Sequence, residues 1–381
     1  MRYLTRMPDP APIAIPAGLL PSDGRFGSGP SRVRDAQVEA LSAAGRTLLG
    51  TSHRQAPVRN LVQRVREGLA ALFGLPDDYL VVLGNGGTTA FWESLAFGLI
   101  GARSQHLSFG EFSAKFARVT QAAPWLADPS VLAASPGTHP SPVAEAGVDA
   151  YALTHNETST GVAMPIRRVP GADDGALVLV DATSAAGGIA VDPAEFDVYY
   201  FAPQKCFGSD GGLWIALLSP SAIERTAELA ASGRYIPEFL SLQVAIENSR
   251  LQQTYNTPAV ATLVLLAEQV DWMLGNGGMA WTTHRTATSS GILYNWADKS
   301  PAASAFVADP AQRSQVVVTN DFAGAVDATA LTRTLRANGI ADTDSYRKLG
   351  RNQLRIGTFP AVEPGDVEAL TACIDYVLER L

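Results

Sequence analysis

The sequence predicts an α/β protein, with a mostly parallel seven-stranded sheet flanked by helices and a smaller α+β domain at its C-terminal end. Seven short apolar runs recur between residues 79 and 219: "YLVVLG", "SQHLSF", "SVLAAS", "DAYALT", "ALVLVD", "DVYYFA" and "LWIALLS", with helical patterns between several of them. Several of these runs are apolar throughout, as strands covered on both faces should be. The texture then changes after the long amphipathic stretch "TPAVATLVLLAEQVDWMLGNGG", near residue 275. Beyond it come a helix over 279–299, strand "QVVVTN", helix "ATALTRTLRANG", strand "LRIGTF" and a final helix over 363–380. The predicted division is therefore 17–275 for the large domain and 276–381 for the small one, which also takes the N-terminal segment 1–16.

Taken in order, "APVRNLVQRVREGLAALFGL" places Val58, Leu61, Val62, Val65, Leu69, Leu72 and Phe73 on one helical face, and Pro57 suits the first turn. The strand "YLVVLG" runs into a glycine turn, "TTAFWESLAFGLIG" reads as the helix behind it, and another helix falls near 112–122. There are no internal repeats, and only the loops "APIAIPAG" and "ASPGTHPSPVAEAG" are compositionally biased. With 46% hydrophobic and 17% charged residues in 381, the chain can bury a large core. A net charge of -8 argues against non-specific nucleic-acid binding, which needs clustered cations. Cys206 and Cys373 form neither a disulfide framework nor a metal cluster, and the five histidines lack metal-binding spacing, so no metal site is expected. Prolines interrupt the apolar part of "MRYLTRMPDPAPIAIPAG", which makes a poor signal peptide. No apolar run approaches membrane-spanning length, and the expected compartment is the cytoplasm.

In open parallel sheets, ligands bind outside the carboxyl ends of the strands. Four polar clusters fall at such ends. "GNGGTT", residues 84–89, can present backbone N–H groups to an anion, although a plain tight turn explains it equally well. As a dinucleotide fingerprint it fails at Thr89, where Gly or Ala is required. Thr158 in "THNETSTG" has an ordinary reading as a cap or turn hydroxyl, and Asp181, ending "ALVLVD", has one as a helix N-cap. The fourth cluster is Gln204-Lys205 in "FAPQKCFGSDGG". Asp181 and Lys205 stand 24 residues apart on successive apolar strands. Together with an upstream glycine turn they suggest pyridoxal phosphate chemistry, with the lysine as covalent anchor and proton shuttle and the aspartate as partner of the ring nitrogen.

Further pieces run in order along nearly the whole chain: "FGSGPS", "TSHRQ", "GNGGTT", "GEFSAKF", "HNETSTG", "VDATS", "APQKCFG", "YNTPA" and "SYRKLGRNQLRIG". In these the sequence resembles the phosphoserine aminotransferases, class V members of the fold-type I pyridoxal-phosphate enzymes. The resemblance implies that Lys205 is the Schiff-base lysine and Asp181 the pyridinium partner. It further implies that Thr158 bonds the ring hydroxyl and that Gly87, Thr88 and Gln204 hold the cofactor phosphate. Asn256 and Thr257 would reach that phosphate from a neighbouring subunit, which implies a homodimer with a shared site. His53 and Arg54 match a pair that meets substrate anions, and Arg355 matches the arginine that grips the α-carboxylate. The sequence departs from the family in three places. Phe112 stands where Trp is common over the cofactor ring, and the "GGGRG" loop reads "GNGGT" without its arginine. The expected "HR" pair reads Tyr346-Arg347, eight residues before Arg355, so Arg347 or Arg351, with Lys348, would take the phosphate role.

Arginine suits bidentate recognition of carboxylate and phosphate, and the basic segment "YRKLGR" stands out in an acidic chain. The implied reaction moves an amino group between L-glutamate and 3-phosphohydroxypyruvate by a ping-pong route, giving O-phospho-L-serine and 2-oxoglutarate. Some relatives handle phosphohydroxythreonine for vitamin B6 synthesis, and the sequence carries no mark that settles this. The nearer rival is another class V enzyme, an alanine–glyoxylate aminotransferase or a cysteine desulfurase. The desulfurase needs a mobile catalytic Cys, whereas Cys206 adjoins the lysine and Cys373 lies on the last helix. The remoter rival is a nucleotide-dependent oxidoreductase built on Gly84 and Gly86.

Overall fold

The computed structural model describes residues 13–381. Most of the N-terminal stretch considered as a signal peptide, and most of segment 1–16, lie outside the described residues. In chain order the elements are α1 (Asp35–Gly45), α2 (Ala56–Phe73), β1 (Leu80–Asn85), α3 (Thr88–Gly98), β2 (Ser104–Ser108), α4 (Glu111–Ala122), β3 (Ser130–Ala133) and β4 (Ala150–Thr154). The short hairpin β5 (Asn156–Glu157) and β6 (Val162–Ala163) follows, then β7 (Leu177–Asp181), β8 (Val198–Phe201), β9 (Leu213–Leu218), α5 (Pro220–Ala231), α6 (Leu242–Arg250) and α7 (Val260–Gly275). The C-terminal part holds α8 (Gly278–Lys299), β10 (Ala303–Ala305), β11 (Val317–Phe322), α9 (Ala328–Ala337), β12 (Gln353–Gly357) and α10 (Pro364–Leu378).

The seven apolar runs form one sheet in the order β1-β9-β8-β7-β4-β2-β3. It is mostly parallel: only β9 runs against its neighbours, pairing antiparallel with β1 and β8. Strands β4, β7, β8 and β9, apolar except for Thr154 and Asp181 at the ends of β4 and β7, are buried at every position. Both faces of the sheet are covered, which is what removes the period-2 alternation from their sequences. On one face, the apolar stripe of α2 packs with α7 in a cluster that includes Val65, Leu69, Leu266 and Val270. All seven stripe residues named from the sequence are buried. On the other face, Phe91, Trp92, Leu95 and Ile246 cover Tyr200 and Trp214.

The second sheet, β10-β11-β12, is antiparallel and packs with α8, α9 and α10 around its own apolar cluster. Ile15 and Phe26 join that cluster, and Phe26 N donates to Ala341 O, so the first described residues rest on the C-terminal part of the chain. Helices α1, α5 and α6, strand β10 and the β5–β6 hairpin are findings of the structure. For α5 a start signal was present: Ser219 accepts from Ala222 N and Pro220 opens the helix. Among the described residues, no helix is long and apolar enough to cross a membrane.

Candidate active site

The carboxyl ends of β1, β4 and β7, with the loop after β8, converge on one region. The loop after β8 carries Lys205. Its Nζ donates a 2.8 Å hydrogen bond to Ser28 O, and Gly29, whose φ of +123 favours glycine, leaves room for the lysine tip that a Cβ would displace. Loss of hydration, reinforced by the nearby Arg355 guanidinium, lowers the Lys205 pKa from 10.5 to about 8. Asp181, Glu157 and the neighbouring thiol of Cys206 act in the opposite sense. The residue as a whole is of intermediate burial, while its amine is desolvated.

Asp181 ends β7 at 4% exposure. One carboxylate oxygen accepts from Thr183 N at 2.9 Å and Thr183 Oγ1 at 2.6 Å; the other accepts from Trp92 Nε1 at 3.1 Å. Burial raises its pKa above the ordinary carboxylate range, against the pull of these donors. Trp92, on α3, also donates to Tyr200 OH at 3.0 Å, which fixes the indole that orients Asp181. Sequence reasoning missed this partner because an indole in an apolar helix gives no signal of what its N–H meets.

Thr158 lies on the β5–β6 turn, with its hydroxyl donating to Ser184 Oγ at 2.8 Å. Its carbonyl accepts from Arg355 Nη1 at 3.2 Å. Arg355, on β12, carries a buried Nε without a partner, and its guanidinium lies 5.2 Å from the Tyr346 ring centroid. Arg355 faces a cavity of about 270 Å³ lined also by Ser28, Gly29, Ser345 and two carboxylates, Asp342 and Asp344. Tyr346 in turn sits 6.1 Å, centroid to centroid, from Phe112 at the start of α4.

The glycine turn joins this region through Gly86 N, which donates to Gly212 O at 3.0 Å in the loop that follows Lys205. Gly86 has φ +109, which favours glycine, and no side chain caps helix α3 behind Gly87 and Thr88. Backbone N–H groups at that end are available to an anion. The Gln204 side-chain amide has its Oε1 buried and unpartnered.

The remaining expected residues are placed more loosely. His53 Nδ1 and Thr257 Oγ1 are 3.1 Å apart, and Thr257 O accepts from Asn85 Nδ2 at 2.8 Å, so both lie beside the glycine turn of their own chain. Desolvation and neighbouring Arg54 lower the His53 pKa. Arg54 is exposed and donates to Gln253 at 3.0 Å, and Asn256 is likewise exposed. Arg351 is committed elsewhere: it pairs with Asp321 and stacks 4.5 Å from the Phe306 centroid. Arg347 is exposed and has no ion-pair or hydrogen-bond partner among the described residues. Lys348 bridges to Glu111 at 2.5 Å.

The site therefore pairs a desolvated amine with a buried carboxylate, an uncapped helix end and a half-buried arginine. The family description "Aminotransferase class-V" matches residues 144–343, which include Thr158, Asp181 and Lys205. Fold and site together define a class V aminotransferase, a pyridoxal-phosphate enzyme. A phosphoserine aminotransferase from Nocardioides sp. is 63% identical over 97% of this chain and 99% of its own length. A putative phosphoserine aminotransferase from Mycobacterium leprae is 61% identical over 96% and 97%. The chain belongs to the phosphoserine aminotransferase family. Among solved structures, the phosphoserine aminotransferase of Cytophaga hutchinsonii superposes with a TM-score of 0.85 at 24% identity, covering 94% of this chain and 99% of that one. The pyridoxal-phosphate-bound enzyme of Trichomonas vaginalis gives 0.77 at 17% identity over 93% and 99%, so the fold persists where most of the sequence does not.

The residues present fit this cofactor. An aldehyde needs a neutral amine, and the lowered Lys205 pKa enlarges the neutral share near physiological pH. A protonated ring nitrogen needs a buried carboxylate, and a phosphate needs unspent donors such as those at the start of α3.

Proposed function

We propose that the enzyme moves an amino group between L-glutamate and 3-phosphohydroxypyruvate, giving O-phospho-L-serine and 2-oxoglutarate. The observation that carries the reading is the Lys205 amine beside the half-buried Arg355, whose buried Nε has no partner among the described residues. That is a nucleophile and proton carrier next to an open carboxylate clamp. Bound there, pyridoxal phosphate would supply an electrophilic carbonyl and a ring that draws off charge from the substrate Cα. Lys205 would anchor it and then carry the proton at Cα. Asp181 would hold the ring nitrogen, Thr158 its hydroxyl, Phe112 its face, and Gly87, Thr88 and Gln204 its phosphate. Arg355 would orient the substrate α-carboxylate, with His53 and Arg54 meeting the distal anion. The test is a visible spectrum of the holoenzyme with O-phospho-L-serine or L-alanine added to separate samples. The cofactor band should collapse with phosphoserine and persist with alanine; a response to alanine alone would overturn the substrate reading.

Of the two arginines on the 342–352 loop, Arg347 is the better phosphate ligand, because Arg351 would first have to leave Asp321. Arg347→Ala should raise the KM for the phosphorylated substrate about tenfold to a hundredfold with little change in kcat, as loss of a charge-assisted contact does. Arg351→Ala should stay within about threefold. Steady-state kinetics of both variants decides it, and the reverse pattern would reassign the role.

The same proposal includes a homodimer, in which Asn256 and Thr257 of one subunit serve the other's phosphate site. Their exposure on a loop supports it, and sedimentation of the purified protein tests it. It also includes a cytoplasmic location, tested by cell fractionation, and 4-phosphohydroxythreonine as a second amino donor, tested in the same spectral assay. Two sheets with separate apolar clusters support a cofactor domain that ends near residue 275 and a smaller one over 276–381; Ile15 to Phe26 pack on the smaller one, which carries its N-terminal arm past the expected boundary at residue 16.

A further inference from the structure

Glu157 is wholly buried, and none of the roles above uses it. Its carboxylate accepts from five donors on two segments. Phe112 N, Ser113 N and Ser113 Oγ reach one oxygen at 3.1, 2.9 and 2.9 Å; Ser159 N and Oγ reach the other at 3.2 and 2.7 Å. No lysine or arginine pairs with it among the described residues. Its countercharge is the start of helix α4, whose N-cap, Gly110, has no side chain to offer. A Cβ at Gly110 would collide with the Glu157 side chain, so glycine there makes room for the carboxylate. Ser159 Oγ also accepts from Glu111 N at 3.0 Å, which extends the join.

One of the joined segments carries Phe112 and the other carries Thr158, the residue after Glu157. We propose that Glu157 is a positioning residue that sets the distance between the ring face contributed by Phe112 and the hydroxyl contributed by Thr158, and so pre-forms the cofactor's slot. This rests on the assignment of those two residues to the cofactor. A carboxylate is required because both oxygens accept from at least two donors; a glutamine amide would point N–H at N–H on one side or the other. The buried anion also lies within electrostatic reach of Lys205, Asp181 and Arg355.

The test titrates pyridoxal phosphate into cofactor-free protein. Glu157→Gln should raise its Kd about tenfold or more, the scale of a lost charge-assisted contact, and Ser159→Ala about threefold. Removing the anion should also shift the pH midpoint of cofactor capture downward in E157Q, which a merely structural role would not do. Added to a Phe112→Ala/Thr158→Ala double variant, E157Q should change Kd less than about twofold, because the groups it positions are gone. If E157Q lowers the melting temperature but leaves Kd and the pH midpoint unchanged, the role is structural and the proposal is overturned. If E157Q does not fold, an unchanged Kd in S159A overturns it. If F112A and T158A each bind cofactor as the parent does, the site assignment itself has failed, independently of Glu157.

Discussion

Replacing Lys205 with alanine should lower turnover by at least about 10⁴-fold, because on the proposed assignment this one residue would supply both the covalent anchor and the proton carrier. The protein should still fold and hold pyridoxal phosphate non-covalently through Asp181 and the start of α3. Single-turnover measurements with O-phospho-L-serine would detect the loss, and full activity in the variant would sink the mechanism. A pH consequence follows from the same residue. With its pKa near 8, about a tenth of Lys205 is neutral at pH 7; at the ordinary 10.5 the neutral share would be about one part in three thousand. Cofactor capture by the cofactor-free protein should therefore rise with pH to a midpoint near 8. A midpoint near 10.5 would mean that the desolvation by the Ser28–Gly29 segment and the push of Arg355 do not act on the amine.

The second large effect is expected at Asp181. Asparagine matches its shape but carries no charge, so the ring nitrogen would lose the partner that keeps it protonated. A fall in kcat of about 10²- to 10⁴-fold should follow, in the range of a lost electrostatic contribution at a dry site. In the cofactor-free protein Asp181 is buried with no ion-pair partner among the described residues, Lys205 acting only at longer range, and burial raises its pKa, so the carboxylate is costly there. The cofactor-free Asp181→Asn protein should accordingly change little in melting temperature, because relief of the buried charge is offset by the amide N–H turned toward Trp92 Nε1 or Thr183 N, while the cofactor stabilises it less. A large loss of kcat beside a small change in melting temperature separates a functional aspartate from a structural one. Activity within about threefold of the parent would remove Asp181 from the site.

Features that leave a local pattern are legible in the sequence. Strands buried on both faces have to be apolar throughout, and so β4, β7, β8 and β9 stand out. The α2 stripe repeats with the helical period, and its residues are the buried ones. Polar residues that end apolar strands are costly unless used, which singles out Asp181 and Lys205. Helix α6 is harder to see because it is short and its cap, Ser241, lies in an undistinguished loop.

The order of amino acids is enough for the α/β class, the lysine and aspartate at strand ends, and the family resemblance, all of which are carried by contiguous stretches or by succession along the chain. Which cations are spent and which are open is settled only once the chain is folded. Arg351 and Arg347 are alike in sequence, yet one meets Asp321 across a strand pair and the other has no partner among the described residues. Folding likewise brings Glu157 from the β5–β6 hairpin to the start of α4, 44 to 45 residues away, and sets Trp92 against Asp181 from 89 residues away. Hydrogen bonds and desolvation depend on what surrounds a group in space, and a pairing across such separations leaves no periodicity in the chain.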